Sequence, residues 1–285
     1  MIKKSQLNII DSHIHTWMLN DNYTIWTREK IGALHHDFSL EDYKKEHNDL
    51  SLDGVFLVQA VTDTAETIEQ LKSYADNPLV KGVIGWVDLA ADDIEEQIQI
   101  LTQTPKFAGI RAHPPHHFDT DWLLSDSTVR GMKALTEKNI PIDYLINTTQ
   151  FKEFRLIFEK LPEVCAVLNH GGRPFVMTGD TASWERDIRS LARETDCYCK
   201  LSGLVERAGV EWDKETLKPW LEILIDAFGP ERLLYASNWP IMTLMATPQI
   251  WVSALIEIFN DFGLPQLSCE QIFSETALKL YQSNQ

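Results

Sequence analysis

The chain is poor in the features that mark secreted, membrane-spanning or nucleic-acid-binding proteins. Only four cysteines occur in 285 residues, Cys165, Cys197, Cys199 and Cys269, with no Cys-x-x-Cys spacing among them. That argues against a zinc knuckle or a disulfide framework. The four read as reduced, mostly buried thiols, with Cys197 and Cys199 on one face of a strand. No run approaches the ~18 consecutive apolar residues of a membrane span. The first eight residues carry two lysines but no apolar stretch of signal-peptide length, so a cytoplasmic protein without a membrane partner is expected. Basic residues are scarce as well. Lys and Arg number 26 against 42 Asp and Glu, a formal net charge of −16. Such a chain repels phosphate backbones, which excludes nucleic acid as the expected partner. A local cluster of arginine or lysine would still admit a polar or anionic small molecule. No low-complexity tract or Pro/Gly/Ser-rich linker divides the sequence, and its length suits one α/β barrel spanning residues 1–285.

What the sequence does contain is alternation. Short apolar runs rich in β-formers recur: Asn8-Ile-Ile-Asp-Ser-His-Ile-His, Gly54-Val-Phe-Leu-Val-Gln-Ala, Val80-Lys-Gly-Val-Ile-Gly-Trp-Val-Asp-Leu and Phe107-Ala-Gly-Ile-Arg-Ala-His. Ile140-Pro-Ile-Asp-Tyr-Leu-Ile, Val164-Cys-Ala-Val-Leu-Asn-His, Cys197-Tyr-Cys-Lys-Leu-Ser and Leu233-Leu-Tyr-Ala-Ser-Asn complete the set. Each fits a strand buried on both faces. Between them, residues 64–75, 92–101, 127–138, 150–161, 182–194, 215–228 and 248–262 repeat apolar residues at helical spacing, and 269–281 reads as a closing helix. Eight strands interleaved with helices predict a parallel (β/α)₈ TIM barrel. The rival, an open doubly wound sheet, would carry a glycine-rich turn after its first strand, where this chain has His-x-His-x-Trp.

Barrels gather their chemistry at the C-terminal ends of the strands. Those ends here carry His13 and His15, Gln59, Asp88, Arg111 and His113, Asn147, His170, Lys200 and Asn238. His13 and His15, two apart on a strand, share a face. Alone, such a pair is as well explained by satisfied core or surface histidines. At the end of strand one of a barrel it predicts a divalent cation, zinc or manganese in first place. His170 precedes two glycines, which let the backbone bend sharply at the barrel mouth, and reads as a third metal ligand or a contact to water or substrate. Arg111 suits a carboxylate or a polarised carbonyl, with an interior salt bridge as the competing reading. Lys200 carries the same two readings. His113, Gln59 and Trp86 are expected to line the substrate pocket, and Trp17, Trp26, Trp86, Trp122 and Trp239 to form either an aromatic rim or ordinary packing. His116 and His117 read as solvated loop residues. His35, His36 and His47 receive no role.

These motifs resemble the amidohydrolase superfamily, in the branch that holds sugar-lactone hydrolases and the pyrone dicarboxylate lactonase. The resemblance runs in order through Asp11-Ser-His-Ile-His-Thr-Trp, Gly85-Trp-Val-Asp-Leu, Gly109-Ile-Arg, Asp121-Trp-Leu-Leu, His170-Gly-Gly-Arg-Pro, Lys200-Leu-Ser-Gly-Leu and Ser237-Asn-Trp-Pro. It implies His13 and His15 on a metal where one is bound, His170 beside the hydrolytic water or a substrate oxygen, and Arg111 and Lys200 facing the substrate. It also implies that the metal is not tightly held in every member. Two positions depart from the pattern. Asn238 stands where the family commonly has an aspartate serving as metal ligand and general base, and Asn169 where it often has another aspartate. An amide cannot take a proton at neutral pH. His170 is therefore the first expected base and Asp88 the second, with Asn238 left in the catalytic position. The expected activity is water-driven opening of a small lactone, in first place a sugar-acid lactone. Decarboxylation of an unsaturated or aromatic acid, or a catalytically silent binding barrel, are the alternatives, and a homo-oligomer stays open.

Overall fold

A computed structural model describes residues 7–19, 32–114 and 121–282; Trp26, His116 and His117 lie outside the described residues. The eight apolar runs form strands β1 (Ile9–Ile14), β2 (Leu52–Val58), β3 (Val80–Gly85), β4 (Phe107–Ala112), β5 (Ile142–Tyr144), β6 (Ala166–Leu168), β7 (Tyr198–Leu201) and β8 (Leu233–Tyr235). They lie side by side in chain order in one parallel sheet. Just past the strand ends, the Asn238 N–H donates to the His13 carbonyl at 3.0 Å and the His15 N–H to the Trp239 carbonyl at 2.7 Å. The sheet is thereby closed into a (β/α)₈ barrel by the backbone of residues at the C-terminal ends of its strands.

The helices are α1 (Leu40–Glu46), α2 (Thr64–Ser73), α3 (Ile94–Thr102), α4 (Asp126–Thr136), α5 (Phe151–Lys160), α6 (Ala182–Glu194), α7 (Val205–Ala208), α8 (Lys214–Phe228), α9 (Pro248–Phe262), α10 (Gln266–Glu270) and α11 (Thr276–Gln282), with a π-helical turn at Gln271–Glu275 between the last two. Several starts are written in the sequence. Asp63, Ser125, Asp213 and Thr247 each accept a backbone N–H from the first turn of the helix they precede, satisfying donors that would otherwise be orphaned. No described helix is long and apolar enough to cross a membrane. All four cysteines are free, and all but Cys165 are buried.

Side chains fill the barrel rather than leaving a pore. Ile10, Phe56, Val58, Ile84, Ala108, Val167 and Leu234 pack with Ala277, Leu280 and Tyr281, so α11 plugs the N-terminal end. Above this plug sits an ion pair. Lys200 Nζ lies 2.6 Å from Asp143 Oδ2, both side chains being 0% exposed. Nζ also donates to the Ser12 carbonyl at 2.8 Å, and the Tyr281 hydroxyl donates to Asp143 Oδ1 at 2.5 Å. Lys200, one of whose sequence readings was a substrate-facing cation, is thus an internal counter-ion, because its four-carbon stem runs into the barrel.

Removing one partner of such a pair leaves an unpaired charge without water. Asp143→Ala is expected to lower the unfolding free energy by about 3–5 kcal/mol, read as a reduced midpoint in urea. A double variant, Asp143→Leu with Lys200→Met, removes both charges and is expected to regain most of it. A single variant as stable as the parent would overturn this account of the interior.

Candidate active site

Strand β1 builds the floor of the site. Its register against β2 slips between Asp11 and Ile14, where three residue steps on β1 match two on β2, from Val55 to Leu57. This bulge re-aims the histidines, a common device beside functional sites. The buried Asp11 holds it in place. Its Oδ1 accepts the His13 and Ser237 N–H groups at 3.1 and 3.0 Å, and its Oδ2 accepts the Tyr43 hydroxyl at 2.9 Å. Burial raises the Asp11 pKa to about 6 against the lowering effect of those hydrogen bonds.

His13 and His15 do converge, with their Nε2 atoms 3.2 Å apart. His15 Nδ1 lies 2.9 Å from the Val58 carbonyl. A carbonyl only accepts, so Nδ1 carries the proton and Nε2 presents a lone pair. His13 Nδ1 lies 3.4 Å from the Lys200 ammonium. Burial, with Arg111 second, pushes His15 down to about 3; burial and then Lys200 hold His13 far below the usual imidazole range. Both rings are neutral, as metal ligands must be.

His170 begins a left-handed turn. Residues His170, Gly171, Gly172 and Arg173 have φ of 57, 56, 71 and 55°. Gly172 is required there both by its φ and because a Cβ would fall 2.5 Å from the Phe151 ring. The turn brings the His170 ring 4.7 Å from that of His13, with its Nδ1 2.8 Å from Ser202 Oγ. Below the ring, Gly203 leaves room: a Cβ there would lie 2.6 Å from His170 Cβ. Burial and the cations Arg111, Arg173 and Lys200 keep His170 neutral. Asn238 is also left-handed, at φ 62°. Three non-glycine residues in this region, His170, Arg173 and Asn238, therefore carry backbone strain of the kind that collects at functional sites.

These residues surround a cavity of about 720 Å³ at the C-terminal end of the barrel. Of the residues singled out from sequence, His15, Gln59, Arg111, His113, His170 and Asn238 line it. Arg111 Nη1 reaches the Gln59 carbonyl at 3.4 Å, while its Nε is enclosed with no partner among the described residues. Burial lowers the Arg111 pKa to about 10, which leaves it cationic. His13 lies behind His15, and Lys200 lies beneath both.

The structure corrects several expectations. Asp88, the second expected base, is not among the lining residues; its Oδ1 accepts the Ala90 N–H at 3.0 Å and shapes the turn after β3. Trp86 is buried, and its Nε1 donates to the His113 carbonyl at 2.8 Å, so it supports a lining residue rather than facing substrate. For Trp17, Trp122 and Trp239, all buried, the packing alternative holds rather than the aromatic rim. Asn147 caps the turn before α5 by accepting the Thr149 N–H. A fit to a metal is incomplete. The two Nε2 atoms form a seat for a divalent ion, but among the described residues no three His, Cys, Asp or Glu side chains converge on one point. His170 is therefore not a third ligand of a closed set.

Sequence reasoning missed four charged groups in the wall: Asp63, Arg173, Arg207 and Glu206. Arg207 Nε donates to the Pro174 carbonyl at 2.6 Å, and its guanidinium lies over the Phe175 ring. Glu206 Oε1 accepts from Asn238 Nδ2 at 2.7 Å. Its Oε2 and Asn238 Oδ1 are enclosed without hydrogen-bond partners among the described residues. Burial raises the Glu206 pKa to about 7, the Asn238 hydrogen bond opposing it. The available signal was the charged pair Glu206-Arg207 a few residues beyond strand seven, inside a βα loop that must cover the barrel mouth.

Against known proteins, the family described as Amidohydrolase matches residues 10–282. An L-fucono-1,5-lactonase of Burkholderia ambifaria is 27% identical over 262 residues, covering 92% of this chain and 87% of the relative. An L-rhamnono-gamma-lactonase of Scheffersomyces stipitis is 28% identical over 152 residues, covering 46% and 45%. The crystal structure of an amidohydrolase from Burkholderia multivorans with bound zinc superimposes with a TM-score of 0.89 at 26% identity, covering 96% of this chain and 99% of that one. A family match across almost the whole chain, on a barrel whose first strand ends in paired histidines, places this protein in the amidohydrolase family.

Proposed function

We propose that this protein hydrolyses a small lactone, in first place a sugar-acid lactone, in the cavity above His15. The observation that carries this reading is the likeness to an L-fucono-1,5-lactonase along 92% of the chain. The cavity supports it: its volume suits a small organic acid or sugar derivative, and its polar groups converge from several strand ends. Arg111, a cation in the cavity wall, holds the ester carbonyl oxygen and gains strength as negative charge develops there. The second nitrogen of His170, left over after its bond to Ser202, binds a substrate oxygen or the attacking water. Arg173 and Arg207 make the cavity cationic within an acidic protein and favour a polar or anionic substrate.

One divalent ion, zinc or manganese, would sit on the Nε2 atoms of His13 and His15, where it would polarise an ester carbonyl as a Lewis acid. Among the described residues only two imidazoles converge, beside Lys200 and Arg111, a weaker hold than the three protein ligands usual for catalytic zinc. The chemistry is therefore carried by the chain's own groups.

Purified protein is expected to open at least one aldonolactone in a panel read with a pH indicator, releasing acid. Release of carbon dioxide from an unsaturated acid, with no acid from any lactone, would sink this reading. On the lactone that is opened, Arg111→Met should lower kcat/KM by about 10²–10³-fold, since an oxyanion partner is lost. Chelator treatment followed by metal analysis should yield metal-free protein whose rate stays within about twofold of the untreated sample. A rate that vanishes with the metal and returns with zinc or manganese would overturn the assignment of the chemistry to the chain's own groups.

A further inference from the structure

Asn238 closes the barrel seam and lines the cavity, yet its amide can take no proton. The question is which neighbouring group can. Among the described residues lining the cavity, the carboxylates are Asp63 and Glu206. Asp63 is occupied in capping α2 through the Ala65 N–H at 2.9 Å. His15 Nδ1 is held by the Val58 carbonyl, and its ring abuts His13. His170, the base expected first from sequence, has its Nδ1 at 2.8 Å from Ser202 Oγ, and burial with Arg111, Arg173 and Lys200 opposes its protonated form. Glu206 differs from all three. It enters from α7, three residues beyond the Gly203 against which His170 rests. One of its oxygens is fixed by the Asn238 amide at 2.7 Å, and the other is enclosed with no partner among the described residues. An unpaired carboxylate oxygen held in a cavity wall is costly unless it has a proton or a donor to accept.

We propose that Glu206 is the general base of this site, supplying from the loop after β7 the carboxylate that the strand-eight position lacks, with Asn238 as the positioning residue that aims it. The assignment rests on the lactone reading above. The Glu206 carboxylate takes a proton from water as the water oxygen bonds to the lactone carbonyl carbon. The carbonyl electrons move onto the oxygen facing Arg111. Collapse of the tetrahedral intermediate re-forms the carbonyl and breaks the ring C–O bond, and the leaving ring oxygen takes the proton back from Glu206. The product is a hydroxy acid that ionises in solution, and Glu206 ends as the carboxylate it began. A carboxyl that burial brings near neutrality suits both halves of this exchange.

The test uses the full chain and the lactone found in the panel. Glu206→Gln keeps size and the hydrogen bond to Asn238 but removes the base. It should lower kcat by about 10²–10⁴-fold with KM little changed, and adding Asn238→Asp to it, which moves the carboxylate across the same hydrogen bond, should recover roughly tenfold or more of that loss. Circular dichroism melts of each variant separate lost folding from lost chemistry, and Glu206→Asp, which retains a carboxylate, should keep more activity than Glu206→Gln. A Glu206→Gln enzyme that folds and turns over at the parental rate overturns the assignment while leaving the lactone reading intact. A folded double variant no faster than Glu206→Gln overturns the shared seat. A parent protein that opens no lactone overturns the lactone reading and this assignment together.

Discussion

Lys200 and Asp143 place a full ion pair in the middle of an apolar barrel, and the site above is arranged around it. Two opposite charges without water are stable only if their remaining hydrogen-bonding capacity is met. Here it is met from three directions: the Ser12 carbonyl on β1, the Tyr281 hydroxyl on α11, and the pair itself. An apolar filling of similar volume would pack the barrel as well. The pair is better understood through what it touches. Nζ lies 3.4 Å from His13 Nδ1, so a buried positive charge bears on the histidine at the base of the site, and α11 is coupled through Asp143 to that same atom.

The consequence is electrostatic. Burial first, then Lys200 from below and Arg111 from the cavity wall, favour uncharged imidazoles at His13, His15 and His170. Neutral rings are able to ligate a metal, but the cations that reinforce the effect of burial also oppose a metal's charge. With two converging Nε2 atoms and no third ligand among the described residues, the histidine pair works as well by hydrogen bonding, His13 and His15 sharing one proton between their Nε2 atoms. The same field favours negative charge in the cavity above, whether a developing oxyanion or a substrate carboxylate.

Much of this was legible in the sequence. Eight apolar runs gave eight strands, and side-chain caps such as Asp63, Ser125 and Asp213 marked helix starts that depend only on neighbouring backbone. The pocket positions of His15, Gln59, Arg111, His113, His170 and Asn238 followed from one rule about strand ends. That rule gives position along a strand and not depth or direction, which is why Asp88 was misjudged and Lys200 was left between two readings. A long lysine stem at an inward position can point down as easily as up, and a carboxylate after a strand can turn back onto its own loop. Asp143 was passed over within an apolar run, because nothing local shows that its partner lies 57 residues away. Glu206 and Arg207 escaped because the four-residue α7 is too short for a periodicity from which a direction could be read.

The exchange of amide and carboxylate between Asn238 and Glu206 follows from the geometry of a closed barrel. Neighbouring strand ends converge on one cavity, so a point in its wall can be reached from the turn after β8 or from the loop after β7. What that point demands is a carboxylate oxygen near the seam; which strand's loop delivers it is secondary. The turn after β8 has a further demand of its own. Asn238 adopts φ of 62°, a left-handed conformation that asparagine tolerates better than most residues. Its backbone N–H is already committed to closing the barrel on His13. With the carboxylate carried by Glu206, the residue at the seam need only hold that strained turn, close the sheet and donate one hydrogen bond, and an amide does all three.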